Sequence, residues 1–153
     1  MVKIFVTVGT GKFETLVKEI DNIAPKLKDK ITIQIGSGKY IPKNCEWFRF
    51  APKLQKFYKE NDLLIGHGGP GTVFEILDTK KRFIACANMN RTDKMHQVEF
   101  LRAISKETKS LIYCSKLNEM FKTIQIAKKT KFEKYKKPKS WIDKTVGEFI
   151  NEN

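Results

Sequence analysis

The chain has 153 residues, of which 41% are hydrophobic and 31% are charged, and its formal net charge is +13. A chain of this length suits one domain with a single hydrophobic core. Its longest apolar stretches, such as residues 4–8, are far shorter than the roughly 20 residues that cross a bilayer, and its amino terminus does not resemble a signal peptide, so we expect a globular cytoplasmic protein.

Apolar runs alternate with amphipathic stretches from the amino terminus onward. Strands are predicted at residues 3–8, 31–36, 46–50, 62–66, 82–88 and 110–114. Helices are predicted at residues 13–27, 53–61, 72–81, 95–107 and 116–129. Apolar strands separated by helix-length stretches are typical of a mostly parallel sheet with helices on both faces, so the sequence predicts an α/β fold of Rossmann type.

The chain beyond these elements is basic. We assign residues 1–130 to the α/β domain and residues 131–153 to a basic carboxyl-terminal segment. A final helix is predicted after Pro138, and it either packs on the core or docks elsewhere. Its apolar residues are Trp141, Ile142, Val146, Phe149 and Ile150.

About half of the excess positive charge lies in residues 121–144, where nine lysines accompany only two acidic residues. A solvated lysine-rich helix explains this run, and contact with anionic lipid or with an acidic partner is a second explanation. Nucleic-acid binding is a third, but almost all of the cations are lysines, and no RNP, KH or helix-turn-helix pattern accompanies them. We therefore expect no nucleic-acid partner.

Nothing in the sequence indicates a metal site or a disulfide framework. Cys45, Cys86 and Cys114 are odd in number, are widely spaced and form no CxxC pair. No acidic metal-binding motif such as DxD occurs. We expect reduced thiols and neither a metal nor another cofactor.

Glycine-rich turns follow several of the predicted strands. Ligands of open parallel sheets bind beyond the carboxyl ends of the strands, so these turns mark the expected site. The turn GTGK at residues 9–12 lacks the spacing of a Walker A loop and has Phe13 where that motif has serine or threonine. The turn GHGGPG at residues 66–71 fits the dinucleotide pattern, but the next strand ends without the acidic residue that binds an NAD ribose. The sequence therefore favours neither a P-loop protein nor a nicotinamide dehydrogenase.

The turn at residues 66–71 suits a diphosphate group. Glycines let backbone N–H groups approach an anion, and Thr72 adds a hydroxyl at a helix start, where the partial positive charge favours an anion. A carboxylate this close to a phosphate site, that of Glu75, would repel the ligand unless it accepted hydrogen bonds from donors such as ribose hydroxyls. The alternative is that Glu75 only complements the helix dipole.

Two motifs, taken together, resemble a known family. GHGGPGTVFEIL at residues 66–77 is followed by HQVEFLRAI at residues 96–104, with IFVTVGTGKFETLVKEID near the start and ITIQIG at residues 31–36. Over about residues 3–125, this arrangement resembles the carboxyl-terminal, donor-binding domain of family 28 glycosyltransferases. Among these it is most similar to the stand-alone form found in two-subunit transferases that act on lipid-linked sugars and in paired bacterial capsule and exopolysaccharide transferases. The resemblance implies the Rossmann-like carboxyl-terminal lobe of a GT-B glycosyltransferase.

The resemblance implies donor-binding roles for the glycine-rich turns. The residues that it places at the diphosphate are Gly68, Gly69, Gly71 and Thr72, and it places Glu75 at the ribose. It places Gly9 and Thr10 along the cleft near the diphosphate, and the turn at residues 34–38, which contains Gly36, near the base. His67 is the fourth donor-binding residue outside the diphosphate group. For His67, tying down neighbouring backbone is an equally good explanation.

The resemblance assigns the reacting end of the donor to the second motif. His96 and Gln97, at the start of a helix, would contact the sugar hydroxyls or the phosphate and are the expected catalytic residues. The alternative for His96 is a helix-start residue that touches no ligand.

The resemblance also implies an activity and partners. The expected reaction is inverting transfer of a hexose or N-acetylhexosamine, GlcNAc above all, from a UDP-sugar to a lipid-diphosphate-linked sugar. N–H groups would stabilise the leaving diphosphate in place of a metal. No residue of the donor loops stands out as a general base, so we expect the base and the acceptor site on a membrane-anchored partner subunit, which would hold this chain at the cytoplasmic face of a membrane. Two alternatives stay open: a nucleotide-sugar-binding regulatory subunit without turnover, and a basic nucleic-acid-binding α/β domain.

Overall fold

The computed structural model describes residues 1–89 and 94–136. The strands within these residues are β1 (Lys3–Thr7), β2 (Lys30–Gln34), β3 (Glu46–Phe48), β4 (Leu63–His67), β5 (Arg82–Cys86) and β6 (Ile112–Tyr113). The helices are α1 (Glu14–Leu27), α2 (Gln55–Glu60), α3 (Pro70–Leu77), α4 (Lys94–Glu107) and α5 (Met120–Lys129), with a 3-10 turn at Leu117–Glu119. All neighbouring strands are parallel, and their order across the sheet is β3-β2-β1-β4-β5-β6.

The predicted α/β fold with a parallel sheet is confirmed, and the elements differ from the prediction mainly at their ends. α3 begins at Pro70 rather than at residue 72, with Gly69 as its N-cap. Proline fits the first helical position because its φ is already helical and the N–H that it lacks would have no partner inside the helix. The predicted final helix at residues 139–153 and part of the segment before α4, residues 90–93, lie outside the described residues.

Two helical layers bury the sheet. α1 and α5 pack on one face, against side chains such as Val6 and Ile33, while α2, α3 and α4 cover the other face, where Phe5 and Leu64 point. Successive residues of a strand face opposite layers, so both faces of the inner strands are apolar. Phe5 is fully buried, and its ring stacks on that of Phe57 with the centroids 5.0 Å apart.

Asp21 fastens α1 to the loop that follows β2. Its carboxylate is buried and accepts hydrogen bonds from the Tyr40 hydroxyl at 2.5 Å, from Asn44 N–H at 2.7 Å and from Lys43 N–H at 3.1 Å. Burial alone would raise the pKa of Asp21, but these hydrogen bonds to the charged form outweigh burial and lower the pKa below its usual value. The carboxylate therefore stabilises the fold in its charged state.

The strand order locates the site. The chain builds β1, β2 and β3 outward in one direction and then returns to add β4 on the other side of β1. Ligands of doubly wound sheets bind at this switch point, beyond the carboxyl ends of the two central strands. Of the helices that the structure describes, none combines the length and the apolar character needed to span a bilayer.

Candidate functional site

Gly9 and His67 lie side by side at the switch point, just beyond the ends of β1 and β4. Gly9 has a φ of +77°, a left-handed conformation that glycine adopts without strain. A Cβ atom on Gly9 would lie 2.4 Å from Nε2 of His67, and one on Gly69 would lie 2.4 Å from Cε1 of the same ring. The imidazole therefore fills the space between two turns, and its bulk explains why both positions are glycine.

The buried ring of His67 also fixes the turn through hydrogen bonds. Gly69 N–H donates to Nδ1 at 3.1 Å, so Nδ1 is the unprotonated nitrogen and Nε2 carries the proton. Nε2 lies 3.1 Å from the Thr72 hydroxyl oxygen and donates to it. Because that oxygen is an acceptor here, the hydroxyl hydrogen of Thr72 is directed away from His67 and can be offered to an anion.

The first turn of α3 opens towards solvent. The N-cap, Gly69, has no side chain, and Pro70 has no N–H group. The amide groups that the helix leaves without an internal partner are therefore those of Gly71 and Thr72. Gly71 is exposed, and a Cβ atom there would meet no atom of the described residues within 4 Å. Two N–H groups and one hydroxyl thus lie at a helix start, where an anion is favoured.

Glu75 lies one turn further along α3. Its Oε1 accepts a hydrogen bond from Gln55 Nε2 at 3.0 Å, which ties the start of α2 to α3. Although the side chain reaches solvent, partial burial raises the pKa of Glu75 above its usual value. Additional hydrogen-bond donors, such as the hydroxyl groups of a ligand, would favour the charged form and lower that pKa again.

Gln97 joins the glycine turn to the turn after β5. Its side chain is 2% exposed, and Oε1 accepts hydrogen bonds from Gly68 N–H at 3.2 Å and from Asn88 N–H at 2.8 Å. Nε2 is buried and has no hydrogen-bond partner among the described residues. His96, partly exposed, precedes Gln97 in the first turn of α4. Gln97 therefore holds two turns together, and one of its polar atoms has no partner among the described residues.

The turn after β1 is held from both sides. Asn88 Nδ2 donates to the carbonyl of Lys12 at 2.8 Å from the side of β5. Gly36, with a φ of +66°, lies against the turn from the side of β2, and a Cβ atom there would lie 2.0 Å from the carbonyl oxygen of Gly11. Thr10 is exposed at the tip of the turn. The turn is thus a rigid wall of the site.

The structure gathers the predicted site residues at one end of the sheet. Those in mutual contact are Gly9, His67, Gly69 and Thr72, with Gly68 and Gln97 as a second contacting pair. The amides of Gly68 and Gly69 are used inside the protein, so these glycines provide room rather than free N–H groups. The roles of all these residues towards a ligand stay predictions.

Two polar residues of the site, Gln55 and Asn88, were missed from the sequence, and a third, Gln34, was predicted only as part of the turn at residues 34–38. Gln34, Gln55 and Asn88 each hold a loop or helix in place. Of these, Gln34 carried a readable signal, because it is an amide near the end of an apolar strand. The other two depend on contacts between loops that are distant in sequence.

The donors at this site suit an anion. Within residues 1–89 and 94–136, no group of three or more histidine, cysteine, aspartate or glutamate side chains could hold a metal ion. The groups that converge beside α3 are N–H and hydroxyl donors, which bind phosphate oxygens. The arrangement can therefore bind a diphosphate and stabilise charge that develops on it.

Comparison with known proteins places the chain among glycosyltransferases. The sequence matches the glycosyltransferase family 28 C-terminal domain over residues 3–148, further than the motifs alone extend. It is 27% identical over 125 residues to the human UDP-N-acetylglucosamine transferase subunit ALG13, an alignment that covers 73% of this chain. The chain spans only 11% of the length of that relative.

Two solved structures share the fold. The crystal structure of Acinetobacter baumannii MurG superimposes with a TM-score of 0.63 and 19% identity, covering 83% of this chain and 42% of MurG. The NMR structure of ALG13 gives a TM-score of 0.60 and 14% identity, covering 98% of this chain and 96% of that structure. At these identities the likeness is one of fold, and the fold is the Rossmann-like lobe of GT-B glycosyltransferases.

Proposed function

Because the chain belongs to the glycosyltransferase family 28 C-terminal domain family, we propose that it binds the UDP-sugar donor of a glycosyltransferase and provides the donor half of the active site. The observation that carries this proposal is the His67 cluster. A buried imidazole orders the glycine turn and Thr72, while the N–H groups of Gly71 and Thr72 have no partner inside the helix. These features support a preformed site for a diphosphate.

The diphosphate accepts hydrogen bonds from the N–H groups of Gly71 and Thr72 and from the Thr72 hydroxyl. When the bond between the sugar and the diphosphate breaks, negative charge grows on the departing oxygen, and donors fixed in advance stabilise it without having to reorganise. The ordering of Thr72 by His67 therefore serves the reaction as well as binding. This chemistry needs no metal ion at the described residues.

Glu75 binds the ribose. Gln55 occupies Oε1, and Oε2 is left to accept hydrogen bonds from ribose hydroxyls. The spacing of three residues places Thr72 and Glu75 on the same side of α3. One helix can therefore contact both the diphosphate and the ribose.

The sugar lies against the start of α4. There the Oε1 atom of Gln97 holds the turns on both sides through Gly68 N–H and Asn88 N–H. His96 neighbours Gln97 in the same helical turn. The transferred sugar is of the GlcNAc type, in line with the human relative, whose name is that of a UDP-N-acetylglucosamine transferase subunit.

The acceptor site and the general base come from outside the described residues. The structure describes a single Rossmann-like sheet, whereas MurG, which shares this fold, is about twice as long. The human relative is named a subunit. In line with that name, a membrane-anchored partner supplies the second lobe, holds the lipid-linked sugar and recruits this chain to the cytoplasmic face of a membrane.

Thermal unfolding with three ligands tests donor binding. UDP should raise the midpoint of unfolding with or without magnesium, whereas NAD and a short DNA duplex should not. At a UDP concentration about 100 times the dissociation constant, the gain is about 2.7 kcal/mol, or several degrees for a domain of this size. No shift with UDP at millimolar concentration, together with a shift with NAD or DNA, would contradict the proposal.

A transfer assay with a lipid-linked acceptor tests the need for a partner. The purified chain should be nearly inactive alone and should gain activity when co-expressed with the membrane-anchored partner. Deleting residues 139–153, which lie outside the described residues, should abolish membrane recruitment and leave UDP binding intact. Full transfer activity by the isolated chain would refute the two-component proposal, and UDP binding without transfer in any combination would indicate a regulatory subunit.

A further inference from the structure

Gln34 is a buried amide side chain at the carboxyl end of β2, and it is 1% exposed. Its Oε1 accepts hydrogen bonds from the Thr7 hydroxyl at 2.6 Å and from Val8 N–H at 3.1 Å. Its Nε2 donates to the carbonyl oxygens of Gly9 at 3.0 Å and of Arg49 at 2.7 Å. Both hydrogens of the amide and both lone pairs of its oxygen are therefore used.

The two carbonyl groups belong to different walls of the site. Gly9 lies against His67, next to the turn that would hold the diphosphate. Arg49 begins the loop from β3 to α2, and the first residue of α2, Gln55, holds Glu75. Gln34 thus links the diphosphate end of the site to its nucleoside end.

Holding β2 in the sheet does not require this amide. The strand pairs with both of its neighbours through backbone hydrogen bonds, and Ile31 and Ile33 are buried. A buried amide is unfavourable unless each of its polar atoms has a partner. Here the partners are the backbone of β1 with its turn on one side and the loop after β3 on the other, so the side chain couples the two.

We propose that Gln34 is a positioning residue that locks the turn after β1 and the loop after β3 into one arrangement, so that both ends of the donor site exist before the ligand binds. The proposal rests on the proposed donor-binding function. Preorganisation of this kind raises affinity, because the loops lose little further freedom when the ligand binds.

The test compares Gln34→Met with Ile33→Ala, measuring UDP affinity by calorimetry and amide hydrogen exchange without ligand. Ile33 is the adjacent buried residue and faces the opposite helical layer, so its truncation weakens the fold while the four hydrogen bonds of the Gln34 amide stay in place. Gln34→Met should speed amide exchange in residues 8–12 and 49–51 together. It should also weaken UDP binding about fivefold to tenfold, the change in affinity that corresponds to the loss of about one hydrogen bond. Ile33→Ala should leave the affinity of the folded protein unchanged.

A second variant tests whether the two N–H donors of the Gln34 amide are needed, because it keeps the volume of the side chain. Gln34→Glu keeps the acceptor for Thr7 and Val8 but turns a carboxylate oxygen towards two carbonyl oxygens, so at pH 7.5 it should weaken UDP binding at least as much as Gln34→Met.

Three results would overturn the proposal: unchanged exchange in the two loops, faster exchange in only one of them, or equal affinity losses in Gln34→Met and Ile33→Ala. Absence of UDP binding by the wild-type chain would instead refute the proposed function, and the exchange data would still decide whether Gln34 couples the loops.

Discussion

Replacing Glu75 by glutamine separates ribose binding from diphosphate binding. The substitution is isosteric, and its carbonyl oxygen can still accept the hydrogen bond from Gln55. It removes the charge that ribose hydroxyls would contact. A hydrogen bond to a charged group is worth about 1.5 to 3 kcal/mol, so the affinity for UDP should fall about 10- to 150-fold. Inorganic diphosphate makes no such contact, so its affinity should change less than about twofold.

The free energy of unfolding of Glu75→Gln should not fall, although the variant binds UDP more weakly. Because burial raises the pKa of Glu75, the charged carboxylate destabilises the folded protein at pH values above that pKa. The neutral amide removes this cost, so the free energy of unfolding of Glu75→Gln at pH 7.5 should be equal to or above that of the wild type. Urea denaturation measures this, and a clear loss of stability would mean that the carboxylate has a structural role.

The pH dependence of binding gives a third readout. The ligand favours the charged carboxylate, so wild-type affinity should fall as the pH drops through the raised pKa of Glu75. The variant does not titrate at this position, so the difference between the two proteins should shrink at acidic pH. Calorimetry at several pH values measures the affinity of both proteins for UDP. Comparing the two proteins at each pH removes the effect of UDP's own ionisation. Equal losses for UDP and diphosphate would refute the assignment and return Glu75 to a helix-dipole role.

Three further predictions concern the scaffold. Gly69→Ala should lower the free energy of unfolding by about 1–3 kcal/mol because its Cβ would lie 2.4 Å from the His67 ring. Gly71→Ala, whose Cβ would meet no described atom within 4 Å, should not lower it, and urea titrations of both variants check this. The pKa of Asp21 is lowered in the folded protein, so its carboxylate stabilises the fold fully above its unfolded-state pKa and less as the pH falls through its folded-state pKa. Asp21→Asn should therefore be less stable than the wild type at pH 7 and equally stable in acid, which denaturation at several pH values measures. Phe5→Ala should cost about 3–5 kcal/mol in the same assay because the ring is fully buried, and a cost under about 1 kcal/mol would contradict the described core.

The fold was readable from the sequence because its strands are buried on both faces. Runs such as residues 4–6 and 63–65 are continuously apolar, a pattern typical of strands in a sheet that helices cover on both faces. The boundary of α3 was less readable. A glycine next to proline predicts a turn, yet here Pro70 and Gly71 are the first two residues of the helix.

The sequence motifs predicted the candidate site, but they did not predict the residues that hold its loops in place. Gly9, His67 and Glu75 stand in a recognisable pattern, but the pattern does not reveal that the His67 ring fills the space of two absent Cβ atoms. Asn88 and Gln55 act through loops far apart in sequence, reaching Lys12 across 76 positions and Glu75 across 20. Such contacts depend on the packing of the whole sheet, which local patterns do not encode.

Chemical-shift mapping by NMR shows directly where UDP binds. UDP is titrated into the isotope-labelled chain in the presence of EDTA, and the amide shifts of residues 1–89 and 94–136 are followed. We expect saturable binding without metal, with the largest shifts at Gly71, Thr72 and Glu75 and smaller ones at Gly9 and Thr10. Shifts confined to the lysine-rich residues 128–136, or no saturable shift at millimolar UDP, would contradict the proposed donor site.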